Sequence, residues 1–262
     1  MIRLGLSSQA FLTSTTEEVL AFARSAGFEG IEWAGEAHVP SGNKASAEAL
    51  MMATLMAGLS VVSFAPLYRV CTEGENGLGF ASILEIASIL QSPIIRIYAG
   101  SRPLSRMSEA GRSGLRGELS RLGDLAGARG VSICLSLGRN TGLDSYAAVS
   151  SLLAELRHPF VGLAWEPLPG SSQSEATAAL EKSGAAVRLL LARSADRGGR
   201  SLPLAGETDA WKRRLELYRS TEPDPKLSRF VLLGRTGEGE EGRLKEDLAA
   251  LTALTGRGPK KK

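Results

Sequence analysis

Glu32, Arg96, Tyr98, Glu166 and Arg188 are the residues of this sequence whose types and positions could build one polar site. Each stands in or just after a short β-rich run, where side chains alternate between two faces. In the run at 132–137, the bulky Ile133, Leu135 and Leu137 suit one face, which turns the small Ser132, Cys134 and Ser136 to the other. In the run at 161–166, Val161, Leu163 and Trp165 turn outward, leaving Gly162, Ala164 and Glu166 inside. The same parity turns Glu32, Arg96, Tyr98 and Arg188 inward. Two carboxylates, two guanidinium groups and a phenol then share one interior. Charges buried singly are costly, so these groups must pair with one another, or meet water or a ligand. A closed ion network and a polar small-molecule pocket both satisfy that condition.

The elements that position these residues repeat along the chain. Strands are expected at 2–6, 30–33, 60–64, 94–98, 132–136, 161–165, 187–191 and 230–233. Helices are expected between and after them, at 16–26, 45–57, 80–90, 107–129, 145–156, 173–182, 209–219 and 242–254. Thr15, Thr16, Glu17 and Glu18 form an N-terminal helix signal suited to capping and to the helix dipole. Gly27, Gly58 and Gly130 follow helices and precede strands, as helix stops do. Strict alternation of strand and helix predicts α/β architecture, here a single (β/α)₈ TIM barrel over residues 1–256. A doubly wound sheet is disfavoured because Ser7-Ser8-Gln9-Ala10-Phe11, not a glycine-rich phosphate loop, follows the first strand. The Gly/Arg-rich segments 193–200 and 237–242 follow strands seven and eight, on the face where barrel active sites are built.

Composition excludes several function classes. Lys and Arg number 31 against 28 Asp and Glu, a net charge of +3 that includes Lys260, Lys261 and Lys262 of a basic tail at 257–262. No nucleic-acid partner is expected from so small an excess. Hydrophobic residues make up 43%, enough for a large core, yet no apolar run reaches membrane-spanning length. Cys71 and Cys134 suit free thiols in a reducing compartment better than a disulfide framework. The first strand begins at residue 2 and leaves no room for a signal peptide, so a cytoplasmic protein is expected.

Several segments together resemble one superfamily. Gly27-Phe28-Glu29-Gly30-Ile31-Glu32-Trp33 and Gly35-Glu36-Ala37-His38-Val39-Pro40 are similar to its second strand and the loop that follows. Tyr68-Arg69, Ile95-Arg96-Ile97-Tyr98-Ala99-Gly100, Thr141 with Asp144, Trp165-Glu166-Pro167, and Pro203-Leu204-Ala205 leading to Trp211 extend the match from Leu4 to about Leu254. On these residues the chain resembles the xylose isomerase-like, or sugar phosphate isomerase/epimerase, TIM-barrel family. The resemblance is specific for fold and superfamily and not for a substrate. Homo-oligomerisation is an expectation from the resemblance alone.

The resemblance also implies four metal-ligand positions, and here it breaks. The Glu-x-His stretch ending strand five corresponds to Ser136-Leu137-Gly138, and the next acidic ligand to Glu166. The histidine of strand seven corresponds to Arg188, and the closing glutamate of strand eight to Gly234. Hard cations need several oxygen ligands and softer ones recruit imidazole, so no metal and no other cofactor is expected. An arginine facing such a site would repel an ion. The endonuclease IV branch, with its histidine-rich zinc cluster, is excluded because the chain holds only His38 and His158.

Three functions follow from these expectations. The favoured one is a pseudoenzyme, or a binder of a small polar or anionic ligand of sugar or sugar-phosphate type, held by Tyr68, Arg69, Arg96, Tyr98 and Arg188. Arg102, Arg193 and Arg235 are placed on or near the same face. The alternative is a metal-independent isomerase or epimerase. It takes Glu32 or Glu166 as base, His38 or Tyr98 as proton donor, and Arg188 in place of the ion. The third is an assembly module without a ligand.

Overall fold

A computed structural model describes residues 1–39, 43–72, 79–196, 198, 200–221, 227–234 and 241–256. Pro40, Arg235, residues 237–240 and the basic tail lie outside the described residues. Eight parallel strands close into a barrel: β1 (Arg3–Ser7), β2 (Gly30–Ala34), β3 (Ser60–Ala65), β4 (Ile94–Tyr98), β5 (Ser132–Ser136), β6 (Val161–Trp165), β7 (Val187–Ala192) and β10 (Phe230–Leu233). β1 pairs with β2 on one side and β10 on the other, with matched pairs such as Leu6 with Ile31 and Leu6 with Leu233. A small antiparallel hairpin, β8 (Ser194–Ala195) with β9 (Ser201–Leu202), interrupts the path after β7. The chain is therefore a single (β/α)₈ barrel.

The helices are α1 (Thr16–Ala26), a short α2 (Gly35–His38), α3 (Lys44–Met56), α4 (Phe80–Ile89), α5 (Glu109–Gly127), α6 (Tyr146–Glu155), α7 (Gln173–Ser183), α8 (Thr208–Ser220) and α9 (Glu241–Leu254). The capping box read from sequence at α1 forms: Thr15 Oγ1 accepts from the Glu18 amide at 3.3 Å, and Glu18 accepts from the Thr15 amide at 2.8 Å. Ser172 and Glu175 close an equivalent box at α7. No helix among the described residues is long and apolar enough to cross a membrane. Cys71 and Cys134 form no disulfide among the described residues, and burial pushes the Cys134 thiol up to about 12.

Two apolar layers organise the fold. The larger lies between strands and helices and takes Leu4, Leu6, Ile31, Trp33, Ile133, Leu135, Leu163 and Trp165. The smaller fills the barrel interior with Val62, Ile94, Cys134, Ala164, Leu189, Phe230 and Leu232. The parity expected for β5 and β6 holds. Two register shifts break it elsewhere. On β7, Leu163 pairs with Val187 but the next residue, Ala164, pairs with Leu189, so Arg188 is an extra residue. Beyond it, Leu189 turns inward while Leu190 and Ala192 pack outward. On β3 the pairing skips Val62, which lets both Val62 and Ser63 face the interior.

Candidate functional site

Glu32, the third residue of β2, is fully buried at the centre of the polar cluster near the C-terminal ends of the strands. Arg96 of β4 meets it in a two-pronged ion pair, Nε to Oε2 and Nη2 to Oε1, both 2.7 Å. Ser7, which ends β1, donates to Oε1 at 2.7 Å, and Ser63 donates to Oε2 at 2.7 Å. Each carboxylate oxygen thus accepts two hydrogen bonds, the full capacity of an ionised carboxylate. The third guanidinium nitrogen, Nη1, donates to Ser136 Oγ at 2.9 Å.

The electrostatics follow from this packing. Burial pushes the Glu32 carboxyl up, but the Arg96 charge and the Arg96, Ser7 and Ser63 hydrogen bonds outweigh it and hold the group below its ordinary value. Burial alone would make Arg96 easier to deprotonate; Glu32 reverses that and raises it. Both groups are charged, and Glu32 is a weak base.

Glu166 follows β6 toward the rim. Its Oε2 accepts from Arg193 Nη1 at 2.8 Å, with the two side chains 12% and 32% exposed. Glu166 is near enough to act electrostatically on Arg96. Tyr98, which ends β4, lies under the Arg69 guanidinium, 4.9 Å from its ring centre. Arg69 also donates to the Asn140 carbonyl at 3.2 Å. Tyr68 is buried, its ring 5.8 Å from that of Phe80. Three guanidinium groups, of Arg69, Arg96 and Arg193, therefore stand with two carboxylates, of Glu32 and Glu166.

His38 is not part of this cluster. Its Nδ1 lies 3.1 Å from Ser8 Oγ and its Nε2 lies 3.1 Å from the Phe11 carbonyl. A carbonyl accepts only, so Nε2 carries the proton and the Ser8 hydroxyl donates to Nδ1. Ser8 Oγ in turn accepts from the Ala34 amide at 2.8 Å. Burial is the main cause that lowers the His38 pKa and favours the neutral ring. Both nitrogens are thus engaged in joining α2 to the turn after β1.

Arg188 requires a correction. The sequence places it at the mouth, facing Glu32 or Glu166, but it is the second residue of β7 and lies at the opposite, N-terminal end. Its Nη1 donates to Ser132 Oγ, at the start of β5, at 2.5 Å, and its Nη2 to the Pro159 carbonyl before β6. A Cβ at Gly162 would come within 2.7 Å of Arg188 Nε, so the guanidinium occupies the lower interior. The arginine that faces Glu166 is Arg193, one residue beyond β7. Alternation within a strand sets the face on which a side chain lies and not its height along the barrel.

Ser7 and Ser63 were missed as site residues. Ser7 was within reach of the parity argument, since Leu4 and Leu6 face outward and Gly5 and Ser7 inward. Ser63 was not, because the shift in β3 register brings it to the site.

The resemblance implies a divalent ion at these strand ends, and the residues present do not fit one. Glu32 has no lone pair left, Glu166 is paired with Arg193, Ser136 accepts from Arg96, and position 234 has no side chain. A Cβ at Gly234 would lie 2.6 Å from Ser7 Cβ. No group of three or more His, Cys, Asp or Glu among the described residues could hold a metal.

Solved structures share the fold. The probable 3-DHS dehydratase AsbF of Bacillus anthracis, described as involved in petrobactin synthesis, matches with a TM-score of 0.78 at 15% identity, covering 95% of this chain and 98% of that one. A xylose isomerase-like TIM barrel protein from Mycobacterium smegmatis, solved in complex with magnesium, gives 0.70 at 18% identity and 97% of both chains. An L-ribulose 3-epimerase gives 0.68 at 14% identity, covering 97% of this chain and 94% of that one. These matches establish the (β/α)₈ barrel fold. No protein-family model and no curated protein matches the sequence.

Proposed function

We propose that this barrel binds a small polar or anionic ligand of sugar or sugar-phosphate type at its C-terminal mouth, without metal-dependent isomerisation or epimerisation. One observation carries the reading: Glu32, the central carboxylate, is saturated by Arg96, Ser7 and Ser63. A carboxylate so held can neither ligate an ion nor take a substrate proton without breaking a buried ion pair. Binding falls to the rim, where Arg69 and Arg193 present donors suited to phosphate, carboxylate or vicinal hydroxyls. Tyr98 supplies an aromatic wall beneath Arg69.

Glu166 favours a second reading. Its Oε1 makes no hydrogen bond among the described residues, which leaves it as a base for proton transfer beside a carbonyl, with Arg193 stabilising the oxyanion.

A panel of aldoses, ketoses, their phosphates and small carboxylates, screened by thermal shift and calorimetry, tests the binding reading. At least one anionic member should raise the melting temperature of the wild type, and Arg193→Glu should weaken its binding at least tenfold. A flat response across the panel contradicts the proposal. No exchange of substrate carbon-bound hydrogen with deuterated solvent is expected. Exchange that disappears in Glu166→Gln establishes the second reading instead.

A further inference from the structure

We infer that the N-terminal face of the barrel carries a separate binding site for a small organic phosphate ester. A groove of about 470 Å³ opens there between the C-terminal ends of α6 and α7 and the start of β7. That volume lies within the range of small-molecule sites. Arg157, Lys182 and Arg188 line it together with His158, and among the described residues no carboxylate does. Leu153 and Val161 contribute an apolar wall.

The nearby acidic groups are committed elsewhere. Glu155 is ion-paired with Arg116, and Asp124 accepts from His158 Nε2 at 3.1 Å. Glu181 lies 3.6 Å from Arg213. Arg157 and Lys182 are exposed and have no ion-pair or hydrogen-bond partner among the described residues. Arg188 lines the groove from β7, with its guanidinium held at the adjoining lower end of the barrel by Ser132 and the Pro159 carbonyl.

Two helix C-termini point at the groove, each equivalent to roughly half a negative charge, and they oppose an anion. Three full positive charges exceed that by about two units, which matches a phosphate dianion better than a monocarboxylate. The apolar wall adds a preference for an ester with a hydrocarbon body over the free ion. The site is distinct from the mouth, which lies at the other end of the strands.

Calorimetric titration of the full chain with phenyl phosphate at low ionic strength tests this assignment. Arg157→Glu/Lys182→Glu should weaken a saturable, one-to-one event at least tenfold, and Arg193→Glu at the mouth should leave it unchanged. Phenyl phosphate should also bind at least threefold more tightly than inorganic phosphate. The assignment is overturned by the absence of saturable binding, by unchanged affinity in the double variant, or by loss in Arg193→Glu alone. Equal affinity for inorganic phosphate overturns the organic-ester class. Both substitutions in the groove alter exposed side chains, so failure here is separable from failure of binding at the mouth.

Discussion

Replacing Arg96 with methionine is expected to destabilise the protein by about 3–5 kcal/mol at pH 7.5, because it leaves the Glu32 carboxylate buried without its counter-charge. That is a large part of the roughly 5–15 kcal/mol that stabilises a typical domain. For a chain of this size it corresponds to a fall in melting temperature of about 6–20 °C. The cost should depend on pH in a defined direction. In the wild type the Glu32 pKa is held below its unfolded value of 4.5, so its contribution is fully present above that value. It is lost as pH falls through the lower, folded value. In Arg96→Met only the Ser7 and Ser63 hydrogen bonds still oppose burial, the largest influence, and the carboxyl should rise instead. Protonation on acidification then relieves the variant, so the gap between the two proteins should narrow from pH 7.5 to pH 4.5. Urea unfolding at both pH values measures it. Glu32→Leu combined with Arg96→Met should recover most of the loss, since an apolar pair of similar volume needs no counter-charge. A cost below about 1 kcal/mol at pH 7.5, or one that does not change with pH, contradicts a closed ion pair.

The second large effect is expected at Gly234, where even one methyl group has no room. The added Cβ of Gly234→Ala would stand 2.6 Å from Ser7 Cβ, closer than carbon atoms approach, and Ser7 Cβ is fixed to the backbone of β1. Overpacking of this kind costs about 1–3 kcal/mol. It should also displace the Ser7 hydroxyl from Glu32, which it meets at 2.7 Å. Gly234→Glu should be worse still, so the glutamate that the superfamily resemblance implies cannot be restored by one substitution. Ser7→Gly removes the obstructing carbon, and the double variant Ser7→Gly/Gly234→Ala should therefore lose less than the sum of the single variants. Chemical denaturation of the four proteins gives the coupling directly; strict additivity would show that the two positions do not touch.

These expectations rest on positions that the sequence revealed unevenly. Strand and helix order was legible because β5 and β6 alternate bulky and small residues, and because Thr15 and Glu18 announce α1. Parity put Glu32 and Arg96 in one interior, and the cost of buried charge demanded a partner, water or a ligand for each. It did not decide between an ion network and an open pocket, and it did not pair these two. What the sequence concealed was register. A single extra residue at Arg188 on β7 and the skipped Val62 on β3 leave no compositional mark, yet they decide which polar groups meet. Arg193 was read as one of several loop cations, because nothing in a Gly/Arg-rich segment distinguishes the residue that returns to Glu166. His38 was, with Tyr98, an expected proton donor, and only the three-dimensional path of Ser8 and Phe11 explains why both its nitrogens are used.

The central proposal is that two ion pairs, Glu32 with Arg96 and Glu166 with Arg193, close the strand ends around which the superfamily resemblance implies a metal. Titration of chelator-treated protein with Mn²⁺, followed by calorimetry and by electron paramagnetic resonance of the free ion at pH 7.5, tests it most directly. The predicted result is no saturable binding below millimolar concentration, with Glu32→Gln indistinguishable from the wild type. Stoichiometric binding at micromolar concentration that is lost in Glu32→Gln or Glu166→Gln would contradict the account.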